Sequence, residues 1–141
     1  MFSKWRILFV GSDDENLDGL LGLLKCYASV KRIHTVQELR ANLLQCEWDA
    51  VVSGWSVEKG SWKLAVDQVR QNSPGLPVIV CRSCGAEAEW HEALSYGALD
   101  LLVAPYTPNK VFPVLEQATE SHHARVRISV NSIVAAKRRA S

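Results

Sequence analysis

The sequence predicts an α/β fold in which a five-stranded parallel sheet is doubly wound and carries five helices on its two faces. Short apolar runs alternate along the chain with segments whose apolar residues recur at helical spacing. Glycine, proline and other turn residues separate the two kinds of segment. The chain has 141 residues, a length that suits one domain with its own core.

Five segments are predicted strands: residues 5–10, 28–33, 49–53, 76–81 and 99–103. Most of them are nearly continuous apolar runs, which is typical of strands buried on both faces. The second run alternates apolar and polar residues, as expected of a less buried strand. Because strands that alternate with helices join through right-handed crossovers, we expect the sheet to be parallel.

The helices are predicted from apolar residues spaced three or four apart. They are marked by Leu17, Leu20, Leu21 and Leu24, by Val36, Leu39, Leu43 and Leu44 after Thr35, by residues 62–70, by Ala86, Trp90, Ala93 and Leu94, and by a start near Thr107 or Asn109. We expect Ser12 or Asp13 to cap the first helix, because their side-chain oxygens accept free N–H groups. Gly97 is the expected left-handed cap of the fourth helix.

Charge divides the chain into two predicted parts. Residues 122–141 carry five cations and no acids, whereas residues 1–121 carry eleven cations and fifteen acids. We therefore predict a domain over 1–121 and a basic helical tail or linker over 122–141. In the tail, Val126, Val130, Ile133 and Val134 are spaced as on one face of a helix.

Several classes of protein are excluded by the composition. No apolar run approaches the ~20 residues that a membrane span needs, and the first residues do not form a signal peptide. Four scattered cysteines are too few for a secreted disulfide framework. We expect a cytoplasmic protein with no membrane association, no cofactor and, because only three cations end the tail, no direct contact with nucleic acid.

Four segments of the sequence resemble the receiver domain of two-component response regulators: residues 7–16, 48–55, 74–80 and 93–106. The last is the most specific, because receivers read Ala-Leu-x-x-Gly-Ala-x-Asp-Tyr-Leu-x-Lys-Pro there. The similarity extends from residue 5 to about residue 120. It implies the flavodoxin-like arrangement of receivers, with strand order 2-1-3-4-5.

The resemblance also implies a phosphorylation site at the carboxyl ends of the strands. In receivers it consists of two Mg²⁺-binding acids, an aspartate nucleophile, a Ser or Thr and a lysine. Here these positions fall on Gly11 and Ser12, on Gly54, on Arg82 and on Ala104. Glycine offers neither a carboxylate for Mg²⁺ nor a nucleophile for phosphorus. The sequence therefore predicts a degenerate pseudo-receiver with no catalytic residue, no metal site and no enzymatic activity.

Arg82 has two interpretations. Its guanidinium either pairs with Asp13 or Asp14, which would lock the vacated site or bind an anion there, or it is an exposed loop arginine. Cys81 and Cys84 form a C-x-x-C spacing that is either a thiol redox pair or a core residue followed by a loop residue.

The aromatic residues near the vacated site are candidate partner contacts. Trp55 and Trp62 bracket the loop after the third strand, and each either binds a partner or fills space left by missing side chains. Leu101 stands where receivers carry an aromatic switch residue, and Tyr106 follows the Ala-Pro pair. The other tryptophans, Trp5, Trp48 and Trp90, are expected in the core or at strand edges.

The sequence thus predicts a phosphorylation-independent interaction module of bacterial two-component signalling. Its expected partner is a kinase, an effector or a second copy, bound through the surface of the fourth helix, fifth strand and fifth helix or through the tail. Two alternatives stay open: a thiol redox sensor that uses Cys81 and Cys84, and the receiver part of a longer, DNA-binding regulator.

Overall fold

The computed structural model describes residues 5–11, 17–57, 60–82 and 87–120. In chain order the elements are β1 (Trp5–Val10), α1 (Asp18–Tyr27), β2 (Ala28–Ile33), α2 (Val36–Gln45), β3 (Ala50–Gly54), β4 (Ser56–Val57), β5 (Gly60–Ser61), α3 (Trp62–Asn72), β6 (Val78–Arg82), α4 (Glu87–Tyr96) and β7 (Asp100–Val103). A fifth helix, α5, covers residues 108–120. The five predicted strands and five predicted helices are all present.

Five strands form one parallel sheet in the order β2-β1-β3-β6-β7. Numbered within this sheet alone, the order is 2-1-3-4-5, so the arrangement implied by the resemblance is confirmed. Because all five strands run in the same direction, their carboxyl ends lie at one edge of the sheet. We call it the carboxyl edge.

The two faces of the sheet carry separate hydrophobic layers. Side chains alternate along each strand, so Leu8 and Val10 pack against the face covered by α2, α3 and α4. Ile7 and Phe9 pack against the opposite face, which is covered by α1 and α5. Both layers hold fully buried side chains, which explains why the strands read as nearly continuous apolar runs.

Local capping signals were correct at two helices and wrong at one. The Thr35 hydroxyl accepts the N–H of Glu38 at 3.1 Å and begins α2. Gly97, with φ 124°, ends α4, and the N–H of Ala98 donates to the carbonyl of Ala93 at 2.9 Å. The first helix instead begins at Asp18 with Leu17 at the N-cap and no side-chain cap, so the predicted cap by Ser12 or Asp13 is wrong.

One local feature was not predicted, whereas the predicted start of α5 near Thr107 is correct. The strands β4 and β5 pair antiparallel as a small hairpin immediately after β3. The start of α5 is explained by Thr107, whose carbonyl accepts the N–H of Val111 at 2.9 Å, followed by Pro108 at the first helical position. Proline suits that position because its missing N–H has no partner within the helix.

The predicted tail over 122–141 lies outside the described residues, so the proposed domain boundary and the helical extension stay predictions. Within the ranges that the structure describes, no helix is both long enough and apolar enough to span a membrane.

Candidate functional site

Four of the five positions of the implied phosphorylation site meet at the carboxyl edge. Gly54 ends β3 and pairs with Cys81, while Arg82 ends β6 and pairs with Val103. Gly11 directly follows β1. The N–H of Ala104 donates to the carbonyl of Arg82 at 3.1 Å, which holds Ala104 beside that strand end. The fifth position, Ser12, lies outside the described residues.

The described residues of this edge do not fit a magnesium ion. Mg²⁺ requires carboxylate or other oxygen ligands in octahedral array, and neither Gly11 nor Gly54 has a side chain. The buried hydroxyl of Ser53 is directed to the backbone, since it donates to the carbonyl of Gly54 at 2.9 Å. In the described part of the chain, no group of three His, Cys, Asp or Glu residues is placed to hold a metal.

An apolar side chain occupies the space beside Gly11. Leu17 is 2% exposed, and a Cβ atom on residue 11 would lie 3.1 Å from its Cδ1 atom. The same Cβ would lie 3.9 Å from the backbone nitrogen of Gly54, so the two glycines are neighbours across the edge. Any side chain at position 11 therefore requires Leu17 to move.

Arg82 turns towards α4 and the loop after β3. Its Nη1 atom lies 3.2 Å from Oε1 of Glu89, and both side chains are less than a third exposed. Its guanidinium carbon lies 4.3 Å from the ring centroid of Trp55, within the range of a cation–π contact. The predicted pairing with Asp13 or Asp14 falls on residues outside the description and stays a prediction.

Trp55 and Trp62 have different environments. Trp55 is half-buried, and its ring centroid lies 5.6 Å from that of Trp62. Trp62 is 1% exposed and packs edge-on against Tyr96, with 5.5 Å between centroids. Leu101, at 7% exposure, belongs to the same hydrophobic layer.

Partner contact is therefore the wrong interpretation for Trp62 and Leu101. Both side chains are enclosed by the packing of α3 and α4 on the sheet, so neither offers surface to a second protein. Trp55 and Tyr106 are half-buried, and the prediction of partner contact at these two residues remains untested.

Polar contacts join α3 to α4 on the same side of the sheet. The Lys63 ammonium lies 2.7 Å from Oε1 of Glu92, and this hydrogen bond is the main reason that the pKa of Lys63 is raised. The Tyr96 hydroxyl donates to the Asp67 carboxylate, with its two oxygens at 3.0 and 3.1 Å. That bond, with burial and the Asp67 charge, raises the pKa of Tyr96. We call these four residues the α3–α4 clamp.

Sequence reasoning missed the clamp and the partner of Arg82. Glu89 and Glu92 are acids on a helix with no motif around them, and their partners lie on other elements. One available signal was the spacing of Glu89, Glu92 and Tyr96, which places all three on one helix face. That spacing alone does not predict the clamp, because charged residues at helical spacing usually mark a solvated face.

Trp90 lies on the surface, contrary to the expectation of a core or strand-edge position. It is 41% exposed on α4, and its indole N–H donates to Oδ1 of Asp100 at 3.1 Å. Asp100 begins β7, the last strand in the sheet order. The contact places an exposed indole on the surface shared by α4 and β7.

One member of the C-x-x-C pair lies among the described residues. Cys81 is fully buried within β6, and Cys84 lies outside the described residues. The redox interpretation of the pair stays a prediction. Cys26 and Cys46 are free and exposed.

Comparison with solved structures finds receiver domains. The signal receiver domain of an HD domain-containing protein from Pseudomonas fluorescens Pf-5 matches with a TM-score of 0.76 and 19% identity over 90% of this chain and 95% of that chain. The beryllofluoride-activated NtrC4 receiver domain dimer matches with a TM-score of 0.71 and 22% identity, over 83% and 98%. The receiver domain of a sensor histidine kinase from Pseudomonas aeruginosa PAO1, with magnesium coordinated in its active-site cleft, gives 0.71 and 16%, over 84% and 99%.

No protein-family model matches the sequence, and no curated protein matches it. The similarity to the solved structures extends over most of both chains at low sequence identity. The chain therefore has the receiver fold. A fold alone does not define a function, which depends on the residues of the site.

Proposed function

We propose that this chain is a receiver-fold interaction module of two-component signalling that works without phosphorylation and has no enzymatic activity of its own. The receiver fold supports the assignment to signalling. The described residues at the carboxyl edge support the absence of phosphorylation, because none of them is placed as a nucleophile for phosphorus and they supply no set of metal ligands.

Gly54 is the observation that carries the proposal. It ends β3 at the centre of the sheet, next to the ends of β1 and β6. A phosphoryl-accepting receiver needs a carboxylate at this place. Glycine cannot accept a phosphoryl group, and its neighbours do not replace the function: the Ser53 hydroxyl is engaged with the backbone, and Trp55 is not a nucleophile.

Residues at the positions of a receiver's phosphorylation site make other contacts in this chain. Leu17 packs beside Gly11, and Arg82 contacts Glu89 and Trp55. Phosphoryl transfer requires cations directed at the transferring oxygens. The Arg82 guanidinium is instead neutralised by a carboxylate of α4.

The proposed partner is a signalling protein, either a kinase, an effector or a second copy of the chain. The surface we favour consists of α4, β7 and α5, where Trp90 is exposed beside Asp100. Tryptophan is enriched at binding hot spots because it buries a large area at a small entropy cost. One matching receiver structure is described as a dimer, which makes self-association a direct alternative to a different partner.

Tryptophan fluorescence tests the absence of a phosphorylation switch. Trp55 follows Gly54 directly, so binding of Mg²⁺ or of beryllofluoride, a phosphoryl mimic, at this edge would change its emission. We expect no saturable change at millimolar Mg²⁺, with or without beryllofluoride. A saturable change that disappears in an Asp13→Asn, Asp14→Asn double variant would show a rebuilt metal site and overturn the proposal.

A further inference from the structure

We propose that Arg82 is a latch that fixes α4 in one position on the sheet and, with it, the orientation of the exposed Trp90 indole. The inference rests on the proposed function, because it assigns a structural task to the edge where receivers carry out phosphoryl chemistry. Three sets of contacts on the described residues support it.

The first contact anchors the beginning of α4. Arg82 is the last residue of β6, and its guanidinium bridges Glu89 of α4 and the ring of Trp55, at 3.2 and 4.3 Å. Arginine can do both at once, since its planar group donates hydrogen bonds in the plane and stacks through its face. The side chain is 29% exposed, so solvent screens this contact only in part.

An aromatic row continues from the latch into α3. Trp55 contacts Trp62, and Trp62 contacts Tyr96 at the end of α4, with centroid separations of 5.6 and 5.5 Å. Both distances lie in the range of favourable aromatic pairs. Trp62 is fully enclosed, so the row has little freedom to rearrange without opening the core.

The end of α4 is anchored by the α3–α4 clamp. Lys63 pairs with Glu92, and the Tyr96 hydroxyl donates to Asp67. Arg70 of α3 also donates a hydrogen bond to the backbone carbonyl of Tyr96.

The anchoring residues of α4 share one face. Glu89, Glu92 and Tyr96 are spaced three and four apart and flank Ala93, which is fully buried. Apolar contacts tolerate a small slide of a helix, but directional hydrogen bonds do not. A shift or rotation of α4 by one residue would break the Arg82, Lys63 and Tyr96 contacts together.

The exposed flank of α4 that carries Trp90 is thereby held in a defined orientation. Trp90 lies on the exposed side, and its bond to Asp100 ties that side to β7. A surface fixed in this way binds without the cost of ordering a mobile helix. The latch therefore keeps the Trp90 indole in one orientation.

Hydrogen exchange of the backbone amides of α4 tests the latch in the full chain. We expect the Arg82→Ala variant to exchange these amides about five- to tenfold faster than wild type, as loss of a cation–π contact and an ion pair implies. Amides of α2 that exchange through local opening should not change. Arg40→Ala, at an exposed arginine of α2, is the matched control and should leave α4 unchanged.

A second variant keeps the test decisive if Arg82→Ala does not fold. Glu89→Gln preserves side-chain size and removes only the charge pair, and we expect about threefold faster exchange in α4. Exchange within about twofold of wild type in every folded variant would overturn the latch. That result is independent of the proposed function, which fails instead if Mg²⁺ and beryllofluoride bind at the carboxyl edge.

Discussion

The guanidinium of Arg82 stacks on the ring of Trp55, with 4.3 Å between its central carbon and the ring centroid. Both residues lie at the carboxyl edge, Arg82 as the last residue of β6 and Trp55 directly after β3. In a receiver that accepts a phosphoryl group, the ends of these two strands hold the nucleophile and a hydroxyl. In this chain the same two strand ends carry Trp55 and Arg82, whose side chains contact each other.

The energy of this contact is measurable by a double-mutant cycle. We expect Arg82→Ala to lower the free energy of unfolding by about 1–2 kcal/mol, because it removes a partly exposed ion pair and a cation–π contact. Trp55→Leu should reduce the further effect of Arg82→Ala by about 0.5–1 kcal/mol. Urea unfolding of the wild type, the two single variants and the double variant measures the coupling. Strict additivity would show that the stacking has no energetic role.

A side chain added at Gly11, where receivers carry an acid, should destabilise this chain. A Cβ atom at Gly11 meets Leu17 at 3.1 Å, so Gly11→Ala is expected to lower the free energy of unfolding by about 1–2 kcal/mol. Gly19→Ala is the control, since nothing lies within 4 Å of a Cβ there. Because residue 19 is helical, that change should raise stability by about 0.5–1 kcal/mol. Equal changes in the free energy of unfolding for Gly11→Ala and Gly19→Ala would mean that Leu17 moves freely.

Alkaline pH should weaken the α3–α4 clamp. The pKa values of Tyr96 and Lys63 are raised above 10.0 and 10.5 by their bonds to Asp67 and Glu92. A raised pKa stabilises the protonated form in the folded state, so this contribution is fully present below about pH 10 and is lost as pH rises through the folded values.

Urea unfolding from pH 8 to 11 checks this dependence. Tyr96→Phe should be less stable than wild type at pH 8 and should lose less stability above pH 10. Tyr27→Phe is the matched control, because it removes a tyrosine outside the clamp. A Tyr96→Phe variant with the full wild-type slope would contradict the assignment.

Thiol labelling should separate the cysteines by burial. Cys26 and Cys46 are exposed and should react within minutes with N-ethylmaleimide, whereas fully buried Cys81 should react only as the chain unfolds. Peptide mass mapping after a short pulse reads each residue separately. An oxidant that joins Cys81 to Cys84 in the folded chain would support the redox alternative and contradict this account of Cys81.

Local signals in the sequence predicted the helices, the strands and a parallel sheet, and the resemblance to receivers supplied the strand order. The continuous apolar run that includes Ile7 and Phe9 indicated a buried strand because it is too short for a typical helix. Gly97 marked the end of α4 because a left-handed cap favours glycine. The N-cap of α1 was wrong because Ser12 and Asp13 carry good capping side chains but lie ahead of a helix that begins at Asp18. The hairpin of β4 and β5 has two residues in each strand, too few to show a period.

The sequence predicts which receiver residues are missing from the candidate site, but it does not predict the side-chain contacts that are present there. A motif comparison locates Gly54 and Ala104, because neighbouring residues keep the receiver pattern. It does not locate Glu89 as the partner of Arg82, since that pair depends on how α4 packs on β6. The same applies to Trp62, whose burial follows from contacts with Trp55 and Tyr96.

The central claim, that the chain does not accept a phosphoryl group, is tested most directly by intact-mass spectrometry after incubation with acetyl phosphate and Mg²⁺. A receiver with a complete site serves as the positive control. We expect the mass of this chain to remain unchanged while the control gains one phosphoryl group. An adduct that hydroxylamine removes, and that maps to an aspartate such as Asp13 or Asp14, would contradict the account and identify a relocated phosphorylation site.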